Sequence, residues 1–145
     1  GGNITEVGQT ILARKTPGTG TYGSTTVAVH DVYSALYNIN FYPPTSVPIK
    51  VGITLHSLTG YSSAVADAIK QSLVDYVNAL PIGQSVFLTR LYLPALLNGG
   101  AAVSTYEIVT LQIALLAGVL GSTDITIAFN QQASLTLADV TITVV

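Results

Sequence analysis

The cleanest alternation in this chain runs through Val47, Ile49, Val51, Ile53 and Leu55, set against Pro48, Lys50, Gly52, Thr54 and His56. A period of two puts the two sets on opposite faces, so the segment predicts a strand with one face in a core. Pro48 marks an edge strand or the point where a strand begins, because proline cannot donate to a ladder. After Gly60-Tyr61 the period changes. Val65, Ile69, Leu73, Tyr76, Val77 and Leu80 form one stripe at helical spacing, with Asp67, Lys70, Gln71, Asp75 and Asn78 largely off it. Ser62 or Ser63 offers the N-cap and Pro81 the stop, predicting a helix over 63–80. The turn Pro81 to Gln84 and the apolar run Val86 to Leu88 lead to a second helix, over 89–97, ending at Asn98-Gly99-Gly100.

The amino-terminal part reads differently. Ile4, Val7, Ile11 and Leu12 recur at helical spacing, with Thr5 as N-cap and Arg14-Lys15 at the favourable carboxy-terminal end. Thr16-Pro17-Gly18-Thr19-Gly20 breaks that helix. Strands over Thr25–Asp31 and Leu36–Tyr42, joined by a short connection, predict a hairpin, and Pro43-Pro44 ends it as a stiff joint. Towards the other end, Val109, Leu111, Ile113 and Leu115 share one parity in a run starting at Val103. The β-branched content favours a strand through about Ile113, with helix as the competing assignment. Two further strands are predicted, Ile125–Phe129 and Val140–Val144. The expected class is α+β: a two-layer sandwich of a mainly antiparallel sheet with two helices on one face, preceded by a small helix-plus-hairpin subdomain. The boundaries are 1–46 and 47–145.

Composition narrows the function classes. Five basic and seven acidic residues make 8% of the 145 residues charged, where about 25% is usual for soluble domains. Glu107 to Asp139 contains only one other charge, Asp124. Either uncharged polar side chains do the solvating, or much of the surface meets other protein. The net charge of -2, with basic residues only at Arg14, Lys15, Lys50, Lys70 and Arg90, offers no footprint for nucleic acid. The apolar stretch Ile113–Leu120, interrupted by Gly118, falls short of the ~20 residues a membrane span needs. Without cysteine there is no disulfide, thiol nucleophile or thiolate metal site. The Gly-Gly start and the absence of Met suggest an excised piece of a longer protein.

Candidate chemistry is sparse. His30 and His56 lie on different predicted strands, and neither stands at a zinc-ligand spacing. His30 and Asp31 are adjacent, and neighbours on a strand point to opposite faces. No two of Glu6, Asp31, Asp67, Asp75, Glu107, Asp124 and Asp139 are spaced to face each other on one element. Gly18-Thr19-Gly20-Thr21-Tyr22-Gly23 spells G-x-G-x-x-G but precedes a strand rather than opening a helix, so it reads as a loop. No catalytic, cofactor-binding or metal set is expected, and an enzyme reading has no candidate residues.

Three ordered blocks carry a family resemblance. The first holds Val7-Gly8-Gln9-Thr10-Ile11, Lys15-Thr16-Pro17-Gly18-Thr19-Gly20-Thr21-Tyr22-Gly23, Val27-Ala28-Val29, Ile39-Asn40-Phe41-Tyr42-Pro43-Pro44 and Val47-Pro48-Ile49-Lys50-Val51. The second is Ala64 to Leu80 followed by Ile82-Gly83-Gln84-Ser85-Val86 and Thr89-Arg90-Leu91. The third is Asp124-Ile125-Thr126-Ile127, Gln132-Ala133-Ser134-Leu135 and Asp139 to Val145. In order and spacing they resemble the carboxy-terminal portion of the baseplate J, Mu-like family of contractile phage tails. Departures are Tyr33-Ser34-Ala35 where a turn glycine is expected, Tyr42 where Arg usually precedes Pro, and Gln84 where Glu is common.

The resemblance implies a wedge subunit of a phage or prophage baseplate. Its partners would be other baseplate proteins and a second copy of itself, in the virion and, during assembly, in the host cytoplasm. It implies no nucleic-acid partner, no membrane insertion and no cofactor. Two regions are candidate interfaces: the tyrosines Tyr33, Tyr37 and Tyr42, since Tyr suits surfaces with one apolar and one wet side, and Val109, Leu111, Ile113, Leu115 and Leu116 in the charge-poor stretch 104–123. The alternative is a non-enzymatic binding module, such as an adhesin or carbohydrate-binding domain.

Overall fold

The structure, a computed structural model, describes residues 3–145, and the Gly1-Gly2 start lies outside them. The chain divides into two compact units, one ending at Pro44 and the other beginning at Thr45. That places the division two residues earlier than the expected boundary, because Thr45 and Ser46 already belong to a strand.

The amino-terminal unit holds α1 (Ile4–Arg14), β1 (Thr25–His30) and β2 (Leu36–Phe41). α1 is capped by Asn3, not by the expected Thr5. The Asn3 side chain accepts the Thr5 N–H at 2.9 Å, satisfying one of the donors a helix start leaves open. β1 and β2 pair antiparallel from Thr25↔Phe41 to His30↔Leu36. The core is small: Val29 and Ile39 are fully buried, and Gly8 is the buried residue of α1. Gly8 permits close approach, since a Cβ there would lie 3.2 Å from Val29 Cγ1 and 3.3 Å from Val27 Cγ1.

The carboxy-terminal unit is α+β. β3 (Thr45–Ser57) is followed by α2 (Ser63–Asn78), α3 (Leu88–Ala95), β4 (Tyr106–Leu115), β5 (Gln131–Ser134) and β6 (Val140–Val144). β3 is the central strand. It pairs antiparallel with β4 on one side, and parallel with β5 and then β6. The predicted alternation puts Ile49, Val51, Ile53 and Leu55 in the core, against Ile69, Leu73 and Val77 of α2 and Leu91 and Ala95 of α3. Pro48 is neither on an edge strand nor at a strand start. It is tolerated in mid-strand because the β4 ladder begins only at Ile49, and the Pro48 carbonyl accepts the Leu116 N–H at 3.0 Å.

Several elements differ from the sequence reading. α3 starts at Leu88, whose N–H donates to the Asp124 carboxylate at 2.9 Å, so the isolated charge of the long apolar region caps a helix. The helix stops at Ala95, and Leu97, Asn98 and Gly99 follow with positive φ. Val103 lies in a 3-10 turn rather than a strand, and β4 begins at Tyr106. Ile125–Phe129 is not a strand. Only Ile125 bridges, to Val86, although Ile125 and Ile127 are buried as the alternation required. The strand in this region is β5, held by pairing with Thr45–Pro48.

Candidate functional site

The two candidate surfaces belong to different units. In the amino-terminal unit the β1–β2 connection is built on Asp31. Its Oδ1 accepts the N–H groups of Tyr33 at 2.8 Å and Ala35 at 2.9 Å, while Ser34 adopts φ 63°. This satisfies the turn from within and turns its apolar residues outward: Val32 is 92% and Tyr33 88% exposed. The turn is made by Asp31 and Ser34, which is why no glycine is needed there.

Tyr37 is partly exposed and faces the Lys15 ammonium, 5.8 Å from its ring centroid. Lys15 Nζ also donates to Thr19 O at 2.9 Å. Tyr42 is exposed and meets Tyr22 edge to face, at 5.8 Å between ring centroids. The Tyr22 hydroxyl raises the Tyr42 pKa above the usual tyrosine value, with a further upward push from desolvation. A cleft of about 480 Å³ lies beside Leu12, Lys15, His30, Asp31 and Tyr37. Lys15 and Asp31 at its wall are both engaged in holding the local backbone.

In the carboxy-terminal unit the five residues chosen from one run separate. Leu111 and Ile113 are 3% and 2% exposed and belong to the core under the helices, so they are not surface residues. Val109 is half-exposed for a specific reason. Thr54 pairs with Thr110 and Leu55 with Ile108, leaving Val109 as the extra residue of a β-bulge. The bulge flips the parity, so Ile108 rather than Val109 continues the inward row.

Leu115 and Leu116, at the end of β4, are exposed, with Val119 beyond them at 93%. The Gly118 N–H closes that turn onto Leu115 O at 2.8 Å. Leu120 then folds back over Gly52, where a Cβ would lie 2.6 Å from Leu120 Cδ1. A shallow apolar groove beside the turn is lined by Val47, Pro48, Leu115, Leu116 and Ala117. The charge-poor stretch 104–123 is therefore part core strand and part exposed turn.

Among the exposed apolar residues that the sequence reading missed are Val32, Val119 and Phe129, the last 89% exposed. Val32 and Phe129 lie in turns, and Val119 directly follows one. The available signal was an apolar residue next to turn formers: Asp31, Gly118 and Asn130. Among the described residues there is no group of three or more His, Cys, Asp or Glu placed to hold a metal ion. No helix among them is long and apolar enough to cross a membrane. Compared with protein-family models and with curated proteins, the chain matches none.

Proposed function

We propose that this chain is a non-enzymatic assembly module, the carboxy-terminal part of a baseplate wedge subunit of a contractile phage or prophage tail. It acts by association with other baseplate proteins and with its own copies. The observation that supports it best is that each unit exposes large apolar side chains, Val32 and Tyr33 in the amino-terminal one and Val119 and Phe129 in the carboxy-terminal one, on a chain with 8% charged residues. Exposed apolar side chains with few charges around them favour burial against protein. The three ordered sequence blocks support the choice of assembly, and on this reading the module works in the virion after assembly in the host cytoplasm. The test is sedimentation up to ~1 mM, alone and mixed with purified candidate baseplate proteins. A strict monomer that forms no complex with any of them overturns the proposal.

The binding-module reading rests on the exposed Tyr22–Tyr42 pair. It requires a rise in melting temperature with a glycan, which the assembly reading does not.

A further inference from the structure

Past the end of α3, three successive residues take the left-handed backbone. Leu97 has φ 48°, Asn98 φ 54° and Gly99 φ 78°. Glycine adopts it freely and asparagine tolerates it, but for leucine it is a steric outlier. The turn is held from two sides. The Leu97 side chain packs against the core under the helices, and the Gly99 and Gly100 N–H groups donate to Leu96 O and Leu97 O at 2.9 and 3.0 Å. Such strain clusters at segments with chemistry of their own.

Here the chemistry belongs to Asn98. Of the chain's asparagines, Asn3 precedes Ile4, Asn38 Ile39, Asn40 Phe41, Asn78 Ala79 and Asn130 Gln131; Asn98 alone precedes a glycine. Several of the others are also engaged. Asn3 holds the Thr5 N–H, Asn40 bonds Thr21 and Thr26, and Asn78 bonds both backbone groups of Leu135. Asn98 is exposed, and no Cβ shields the backbone nitrogen that follows it. Glycine also leaves that nitrogen free to turn back towards the Asn98 side chain.

We infer that Asn98 is a self-modification site, at which the Gly99 nitrogen attacks the Asn98 carboxamide and water completes its conversion to a carboxylate, at a rate set by opening of the 97–99 turn. Gly99 N bonds to Asn98 Cγ and gives its proton to a solvent base. The Cγ–Nδ2 bond breaks, and Nδ2 takes up a proton and leaves as ammonia. A cyclic imide joins the two residues. Water then opens either of its C–N bonds, leaving an ordinary aspartyl link or an isoaspartyl one in which the main chain runs through Cβ and Cγ. Overall an amide and water give a carboxylate and ammonium, with no redox change.

The folded turn delays the first step, because the Gly99 N–H is held on Leu96 O and must be freed before its nitrogen can attack. Opening costs that hydrogen bond and relieves the left-handed Leu97, in an exposed loop that continues into Gly100, so it is local rather than global. Either product adds a negative charge to a chain of net charge -2. The charge arrives in a groove that Asn98 shares with Gln71, Asp75 and Tyr76, where Gln71 Nε2 already donates to the Asp75 carboxylate at 2.7 Å. The isoaspartyl product also lengthens the main chain, which carries the Gly99 and Gly100 donors off their acceptors.

Self-modification at Asn98 is independent of the assembly reading, and the result of one test does not decide the other. The full chain is incubated in heavy-oxygen water at neutral and mildly alkaline pH, then mapped by peptide mass spectrometry for label at each asparagine and assayed with an isoaspartyl methyltransferase. Position 98 is expected to take up label before every other asparagine, and faster at the higher pH. In urea-unfolded chain the reaction is expected to speed up by the factor that amide exchange gives for protection of Gly99 in the folded chain. Asn98→Gln is expected to lose the label. Asn98→Asp, which adds the charge without lengthening the main chain, is expected to keep the Gly100 amide protection that aged isoaspartyl protein loses. Labelling at position 98 no faster than at Asn38 or Asn130 overturns the inference. So does a folded-state rate equal to the unfolded one while the Gly99 amide stays protected, and both results are read on the unsubstituted chain.

Discussion

Replacing Gly23 by alanine probes how the small amino-terminal unit is held together. An alanine Cβ there would lie 2.1 Å from Phe41 C, 2.2 Å from Phe41 Cα and 2.3 Å from Phe41 N. Non-bonded carbon atoms prefer about 3.5–4.0 Å. These are backbone atoms of β2, so no side-chain rotation relieves the overlap and the 21–23 segment must leave β2 by more than an ångström. That movement breaks two bonds anchoring the segment, Asn40 N–H to Thr21 Oγ1 at 2.7 Å and Asn40 Nδ2 to Thr21 O at 3.2 Å. Overpacking costs about 1–3 kcal/mol, and two lost hydrogen bonds add roughly 0.5–1.5 kcal/mol each. The sum, about 2–6 kcal/mol, matches the whole stability of a unit this size, at roughly 0.05–0.15 kcal/mol per residue. Gly20→Ala is the control, because no atom lies within 4 Å of a Cβ there. The assay is residue-resolved amide exchange on the full chain. Gly23→Ala is expected to abolish protection across Thr25–Phe41 while β3 and α2 keep theirs, and Gly20→Ala to change neither. Wild-type protection of the Asn40 amide in Gly23→Ala would refute the reasoning.

Two further outcomes follow from the packing of the carboxy-terminal unit. Tyr106 Oη donates to Ala95 O at 2.8 Å in the core, whereas the buried Tyr61 hydroxyl has no partner. Tyr106→Phe is expected to cost about 1–3 kcal/mol in urea unfolding and Tyr61→Phe to be neutral or stabilising. Desolvation raises both phenol pKa values, with Asp67 adding to the rise at Tyr61 and Tyr61 to that at Tyr106. The unfolded chain therefore loses these protons first. Stability is full below the ordinary tyrosine pKa and falls as pH rises through and beyond it, a decline that the Tyr61→Phe, Tyr106→Phe double variant should flatten in alkaline urea titrations. The bulge supplies a third outcome. Leu111→Ala is expected to cost about 2–5 kcal/mol, and Val109→Ala less than about 0.5 kcal/mol; equal costs would show that Val109 shares the core.

Much of the fold was legible along the chain because two periods are cheap to recognise. The alternation from Val47 to Leu55 is the central strand, and the stripe Ile69, Leu73, Val77 is the buried face of α2. The hairpin and β6 were legible for the same reason, each carrying β-branched or aromatic residues at strand spacing. β5 was not. Gln131-Gln132-Ala133-Ser134 has one apolar residue, and it is a strand only because Thr45–Pro48 offers it a ladder. Conversely Ile125–Phe129 alternates well but finds one bridging partner and stays irregular.

The candidate surface divides along the same line. Composition alone established that this chain is poor in charge and lacks cysteine. Which of its apolar residues are exposed was decided in three dimensions. Val109 and Leu111 share a parity, yet one inserted residue puts the first on the surface and leaves the second in the core. Local sequence encodes the period of an element. Register and bulges depend on partners distant along the chain, and those belong to the tertiary structure.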